Sequence, residues 1–215
     1  MTITWLGHSC FKIQDKEITV ITDPYDRSIG FKMPRVSADI VTASHDHLGH
    51  HNISEVNGVN GNPFIISAPG EYEVKGVFVY GTSFYHDKSE GKEKGKITAY
   101  KIEMDDIFVF HLGDIGHTLS DEQIAQIGKV DILLIPVGGV STIGAKEATE
   151  IINQLEPRIV IPMHYKVPGL KFELEPLDKF LKEVGATKAE SMPKLKISKK
   201  ELPQDETKFI LLENN

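Results

Sequence analysis

The chain has 215 residues, 40% hydrophobic and 26% charged, which is the balance of a soluble globular protein of ordinary domain size. A formal net charge of -7 argues against the basic surface needed to grip a nucleic-acid backbone or an anionic membrane, so neither is expected as a partner. With Cys10 as its single cysteine the chain builds no internal disulfide and no thiolate zinc site; it has no apolar run of membrane-spanning length and no signal-peptide pattern at residues 1–5, so a cytoplasmic location is expected.

The first half reads as short β-rich runs. Residues 3–6, 11–14 and 17–22 predict three strands separated by turn residues. A buried-type strand follows over 39–43, then strands over 64–67, 77–85, 96–103 and 107–112, with Met104-Asp105-Asp106 as the hairpin turn between the last two. Residues 88–96, charged and glycine-containing, read as a solvated loop. The second half alternates. Residues 120–127 have helical spacing, with Ser120 as N-cap and Gln123 as its capping-box partner. An apolar strand over 132–137, a helix over 145–155, an apolar strand over 158–163 and a helix over 177–184 stopped by Gly185 come next. Strand-like runs return at 194–198 and 208–212. Apolar strands alternating with helices predict an α/β protein whose sheets are covered by helices. No linker is long enough to divide the chain, so residues 1–215 are expected to form a single domain.

The polar residues cluster at strand ends. Strand 39–43 is followed by Ser44-His45-Asp46-His47-Leu48-Gly49-His50-His51, strand 77–85 by His86, strand 107–112 by Gly113-Asp114, and strand 158–163 by His164. In layered α/β proteins, sites collect where strands give way to loops. His45 and His47, two apart, point the same way in an extended segment, and Gly49 permits a turn that brings His50 beside them. Asn52 followed by Glu55 reads as a helix start that would fix the end of this loop. A lone His111 or His117 is read as a hydrogen-bonded structural residue. Four histidines in seven residues have no packing role and point to metal. Imidazoles and carboxylates without thiolates suit zinc or manganese first, with iron and nickel also compatible.

These motifs resemble the metallo-β-lactamase superfamily. His45, His47 and His50 are similar to its histidine loop, His86 to its next histidine, Asp114 in His111-Leu112-Gly113-Asp114 to its bridging aspartate, and His164 in Ile161-Pro162-Met163-His164-Tyr165 to its last histidine. Leu6-Gly7-His8-Ser9-Cys10, Thr22-Asp23-Pro24 and Pro136-Val137-Gly138-Gly139 resemble the branch of metal-dependent hydrolases that includes the ascorbate-6-phosphate lactonase-like proteins. The resemblance implies a four-layer αββα sandwich, two mixed β-sheets flanked by helices, with the site along one edge. It implies a first ion on His45, His47, His86 and Asp114, and a second on His50, His164 and the shared Asp114. Gly49 stands where the loop has an aspartate, so the second ion is expected to bind more weakly.

A bound ion lowers the pKa of water to about 7. The expected activity is therefore metal-dependent hydrolysis of a small ester, lactone or phosphoester. Asp114 would orient the attacking hydroxide and receive a proton. His8 would face the substrate or the metal edge, or else cap its hairpin. Asp23 would fix an imidazole tautomer from behind. Tyr165 is read as a core residue, and Glu71 and Tyr72 are placed near the pocket rim without a role. Two alternatives stay open: a phosphodiesterase or nuclease of the same superfamily, and a non-catalytic metal-binding protein in which Gly49 marks lost catalysis. The expected partner is a small-molecule substrate, and a homo-oligomer is compatible with the sequence.

Overall fold

The structure, a computed structural model, describes residues 1–16 and 18–214. In chain order the first half contains β1 (Thr2–Gly7), β2 (Cys10–Asp15), β3 (Ile18–Thr22), β4 (Val36–Ala38), β5 (Ile40–Thr42), β6 (Val56–Gly58), β7 (Phe64–Ile66), β8 (Gly70–Val74), β9 (Val77–Tyr85), β10 (Lys96–Met104) and β11 (Ile107–His111). Helices then alternate with strands: α1 (Asp121–Ile127), β12 (Ile132–Pro136), α2 (Ala145–Leu155), β13 (Ile159–Met163), α3 (Leu177–Glu183), β14 (Glu190–Met192), β15 (Leu195–Lys196) and β16 (Lys208–Leu212).

The strands form two large sheets, ordered β15-β1-β2-β3-β5-β7 and β14-β16-β13-β12-β11-β10-β9-β8, beside a small β4-β6 pair. Period-two alternation decides how the first sheet is buried. Ile3, Trp5, Phe11, Ile13, Val20 and Ile40 join a core shared with the second sheet, while Leu6, Cys10, Ile21 and Val41 enter a separate cluster with Tyr25, Ile29, Met33, Leu170 and Leu174. The outer face of the first sheet is thus covered largely by connecting segments. All three α-helices among the described residues are crossovers between second-sheet strands. In α2 the apolar residues Ala145, Ala148, Ile151, Ile152 and Leu155 fall on one stripe and are buried, which is the helical period expected of a surface helix. The two facing mixed sheets of the expected sandwich are present, and the α-helices among the described residues all belong to the second sheet's side.

The capping box at α1 forms as the sequence suggests: Ser120 N–H donates to Gln123 Oε1 at 2.9 Å, and Gln123 N–H to Ser120 Oγ at 3.3 Å. Other expectations change. Residue 17, placed in the third strand, lies outside the described residues, and the strand described begins at Ile18. The helix expected after Asn52 is only a 3-10 turn, Ile53–Glu55, whose Asn52 side chain donates to the Tyr25 carbonyl instead of capping. The run 194–198 keeps two strand residues. β4, β6, β8 and β14 are too short or too polar on one face to stand out in the sequence. No helix among the described residues is long and apolar enough to cross a membrane.

Candidate metal centre

Pairing directions explain why distant residues converge. β1 and β3 both run antiparallel to β2, and β3 is parallel to β5, so β1, β3 and β5 end at the same edge of the first sheet. β9 and β11 both run antiparallel to β10, and β11, β12 and β13 are parallel, so these strands too end together. His8 follows β1, Asp23 follows β3, the 44–50 loop follows β5, His86 follows β9, Asp114 lies just past β11, and His164 follows β13. The sheets are stitched at this edge by Thr98 N–H to the Ser44 carbonyl at 2.8 Å and His164 N–H to the His8 carbonyl at 3.1 Å.

The backbone is strained here. His8, Asp23 and His164 have φ of 52°, 40° and 52°, the left-handed region that costs a non-glycine residue on the order of 1 kcal/mol or more. Hydrogen bonds hold them: Trp5 Nε1 donates to the His8 carbonyl at 2.9 Å, and Asp23 N–H to the Thr42 carbonyl at 2.8 Å. Gly113, at φ 57°, passes so close to the first sheet that a Cβ there would lie 2.9 Å from Ser44 Cβ.

Seven predicted residues come together. The ligand atoms of His45, His86 and Asp114 lie within 4.8 Å of one another, as do those of His8, His50 and His164, and those of His45, His47 and His50. Asp114 Oδ2 is 3.2 Å from both His50 Nε2 and His164 Nε2, and 3.8 Å from His86 Nε2. The grouping differs from the implied division at two residues. His47 clusters with His45 and His50, and His8 joins His50 and His164. The loop is also not extended. His47 N–H bonds the His45 carbonyl at 3.0 Å and His50 N–H bonds the His47 carbonyl at 2.9 Å, so a folded turn aligns the rings. The rings of His45 and His47 still lie within 8° of parallel.

Asp23 sits behind the cluster. His50 Nδ1–H donates to its Oδ2 at 2.8 Å, and Ser44 donates to the same carboxylate through N–H at 2.8 Å and Oγ at 2.6 Å. Ser44 Oγ, having donated its proton, accepts from His45 Nδ1–H at 3.0 Å. In both imidazoles the Nδ1 contact turns Nε2 inward, directly for His50 and through Ser44 for His45. Ser44 carried no signal in the sequence beyond preceding the first histidine.

Electrostatics match a cation site. Burial opposes ionisation of Asp114, but His164 and His50 outweigh it and hold its carboxyl well below the usual range. Burial likewise opposes protonation of His50, yet Asp114 and Asp23 on its two sides push it up to about 10. Burial, reinforced by His50, lowers His45 to about 3, and burial with His164 and His50 lowers His8 well below its ordinary value. His8, His45, His47 and His86, all shifted down, are neutral imidazoles of the kind that ligate metal, while His50 between the two carboxylates would give up a proton to an incoming cation. The buried His8 Nδ1 and Nε2, His45 Nε2, His86 Nδ1, His164 Nδ1 and Asp114 Oδ1 lack hydrogen-bond partners. Each such atom costs about 1–3 kcal/mol when left alone, so the donor set fits a divalent cation.

A pocket of about 540 Å³ opens over the cluster, with Lys94, Val140, Ser141, Phe172 and Glu173 at its walls. A larger groove of about 770 Å³, lined by Val130 and Arg158 near the opposite strand ends, has no histidine. Residues 88–96 form an exposed loop, as the composition suggests, and its backbone is organised from one side. The Asp87 carboxylate gathers the N–H groups of Ser89, Gly91, Glu93 and Lys94 at 2.7–3.1 Å, and Lys94 Nζ reaches the Ser141 carbonyl at 3.0 Å. The Asp-x-Ser-x-Gly order at Asp87 was the available signal. Glu71 and Tyr72 do not line this pocket; they lie on edge strand β8, where Tyr72 Oη donates to the Ala68 carbonyl. Tyr165 packs against Trp5 at 5.2 Å. His111 is structural: its Nε2–H donates to the Ser9 carbonyl at 2.8 Å and its Nδ1 accepts from Gly113 N–H at 3.2 Å. His117 Nδ1–H bonds the Thr118 carbonyl, and His51 pairs with exposed Asp46.

Two facing mixed sheets with a histidine-aspartate cluster at one edge define a metallo-β-lactamase-type protein. The family model "Beta-lactamase superfamily domain" matches residues 2–164, and the chain belongs to that superfamily. Within it the relatives are metal-dependent hydrolases, and the chain is an enzyme of that class. A UPF0173 protein of Pyrococcus abyssi is 31% identical over 192 residues, covering 79% of this chain and 85% of the relative. A UPF0173 metal-dependent hydrolase of Methanopyrus kandleri is 29% identical over 216 residues, covering 86% and 93%. A solved structure from Thermotoga maritima, assigned as a Zn-dependent hydrolase of the metallo-β-lactamase superfamily, is 41% identical with a TM-score of 0.81, covering 99% of this chain and 98% of that one.

Proposed function

We propose that this enzyme hydrolyses a small ester, lactone or phosphoester in the pocket above Asp114. The observation that supports the reading best is the place of Asp114, whose single oxygen Oδ2 is ringed by His50, His86 and His164. One carboxylate is thus common to both sides of the histidine cluster. In this reading His45, His86 and Asp114, with His47 adjoining, hold one divalent ion, and His50, His164 and Asp114 hold a second, zinc or manganese foremost. Bound there, a divalent ion supplies Lewis acidity and lowers the pKa of water toward neutrality.

The chain's own residues do the rest. Asp114 Oδ1, buried and without a partner, is the atom free to orient the attacking water and accept its proton. Asp23 holds His50 directly and His45 through Ser44, so Asp23→Asn is expected to lower metal affinity about 10–100-fold by isothermal titration with Zn²⁺. Val140 and Phe172 wall the substrate from water. Lys94, the one lysine or arginine in the pocket lining among the described residues, is placed to pair with an anionic group. Lys94→Ala is expected to raise KM about 10-fold for a phosphorylated or carboxylated substrate, leaving kcat and the KM of a neutral ester unchanged.

Asp46 and Glu173 share the lining with that lone lysine, which disfavours a polynucleotide track and leaves only short phosphodiesters to the nuclease reading. The test is a panel of esters, lactones and phosphoesters assayed with Zn²⁺ and with Mn²⁺. Turnover that requires added metal supports the proposal. Retained metal binding with no turnover on any substrate would replace it with the non-catalytic reading.

A further inference from the structure

The loop position that carries a carboxylate in the family pattern is Gly49, and the structure has something else in its place. A Cβ built on Gly49 would lie 3.0 Å from His8 Nε2, 3.4 Å from His8 Cδ2 and 3.3 Å from His47 Nδ1. An aspartate side chain extends well beyond Cβ, so its carboxylate and the His8 ring would compete for one space. His8 is 2% exposed, and both of its ring nitrogens are buried without a hydrogen-bond partner. A buried imidazole with neither nitrogen satisfied is rare in a folded protein unless something outside the protein completes it. One ring nitrogen of His8 lies within 4.8 Å of the ligand atoms of His50 and His164. The ring centroids are 4.2 Å from His164 and 4.9 Å from His50. This placement is built in. The left-handed turn at His8 is fixed by Trp5 Nε1 and His164 N–H, which both donate to its carbonyl.

We propose that His8 is a metal ligand that takes over the coordination role left open by Gly49, completing a site of His8, His50 and His164 with Asp114. This rests on the reading of the cluster as a metal centre. The exchange of ligands has a chemical consequence. Three neutral imidazoles and one shared carboxylate carry one negative charge fewer than the carboxylate-bearing version of the site. Nitrogen-rich sites favour zinc over the harder manganese ion. The second site is therefore zinc-selective, and it is not weakened by Gly49.

The test uses metal-stripped full-length protein titrated with Zn²⁺ and with Mn²⁺ by calorimetry, with bound metal counted by elemental analysis. His8→Asn and His8→Gly both remove the imidazole while tolerating φ near 52°, so at least one variant keeps the hairpin. The wild type is expected to bind two Zn²⁺. Each His8 variant should bind one Zn²⁺ at wild-type affinity and the second at least about 100-fold more weakly. Adding Gly49→Asp to His8→Gly is expected to restore the second ion and to narrow the preference for Zn²⁺ over Mn²⁺. Gly49→Asp alone, with His8 present, adds no affinity. Two Zn²⁺ bound at wild-type affinity after loss of His8, or a wild type that binds one ion, overturns the assignment. A wild type that binds none overturns the metal-centre reading itself.

Discussion

Replacing Asp114 with asparagine is expected to strip the protein of both ions and to lower kcat/KM on the order of 10³-fold or more. The amide fills the same volume, so the sandwich survives and the effect is local. What is lost is the charge around which His50, His86 and His164 are arranged at 3.2–3.8 Å. His50 keeps one carboxylate, Asp23, and the remaining imidazoles have nothing between them to offset a divalent charge. Elemental analysis after desalting and steady-state kinetics on the same preparation check this. Metal content equal to wild type would show that the imidazoles alone suffice and would remove Asp114 from the centre.

Chelation is expected to lower the melting temperature by about 10 °C, because a ligand present at about 1,000 times its Kd contributes about 4 kcal/mol, and in a chain of this size each kcal/mol moves Tm by about 2–4 °C. The physical source is the set of ring nitrogens and the Asp114 oxygen that are buried without partners. Scanning calorimetry with and without chelator, followed by Zn²⁺ add-back, measures it. Restoration by Zn²⁺ is part of the expectation. A Tm unmoved by chelator would mean that these atoms are satisfied in some other way.

Much of this was legible in the sequence because two periodicities are simple. β12 and β13 are apolar on both faces, α2 carries a helical stripe, and Ser120 with Gln123 announces the start of α1. The site residues were legible because each comes just after an apolar run. What the sequence hid was spatial. Nothing in the 45–51 run reveals that it folds back on itself through i to i+2 and i to i+3 hydrogen bonds, since imidazoles give no turn signal. Ser44 looked like a neighbour and is a relay between Asp23 and His45. His8 could be placed at a strand end, but its distance from Gly49 is a fact about two loops far apart in the chain. Asp87 had the side chain to organise its loop, yet the composition of residues 88–96 spoke for solvent.

The bond from His164 N–H to the His8 carbonyl joins a residue at the first turn of the chain to one at the end of β13. Most of the polypeptide must therefore be made, and both sheets docked, before the two ends of the centre meet. Contacts of such sequence separation form late and slowly. During synthesis, the emerging chain presents isolated histidines and a hairpin, and the convergent cage is absent until residue 164 has emerged and packed. On the proposed reading of the cluster, the half built on His8, His50 and His164 therefore closes only at that last stage, whereas His45, His86 and Asp114 all stand earlier in the chain.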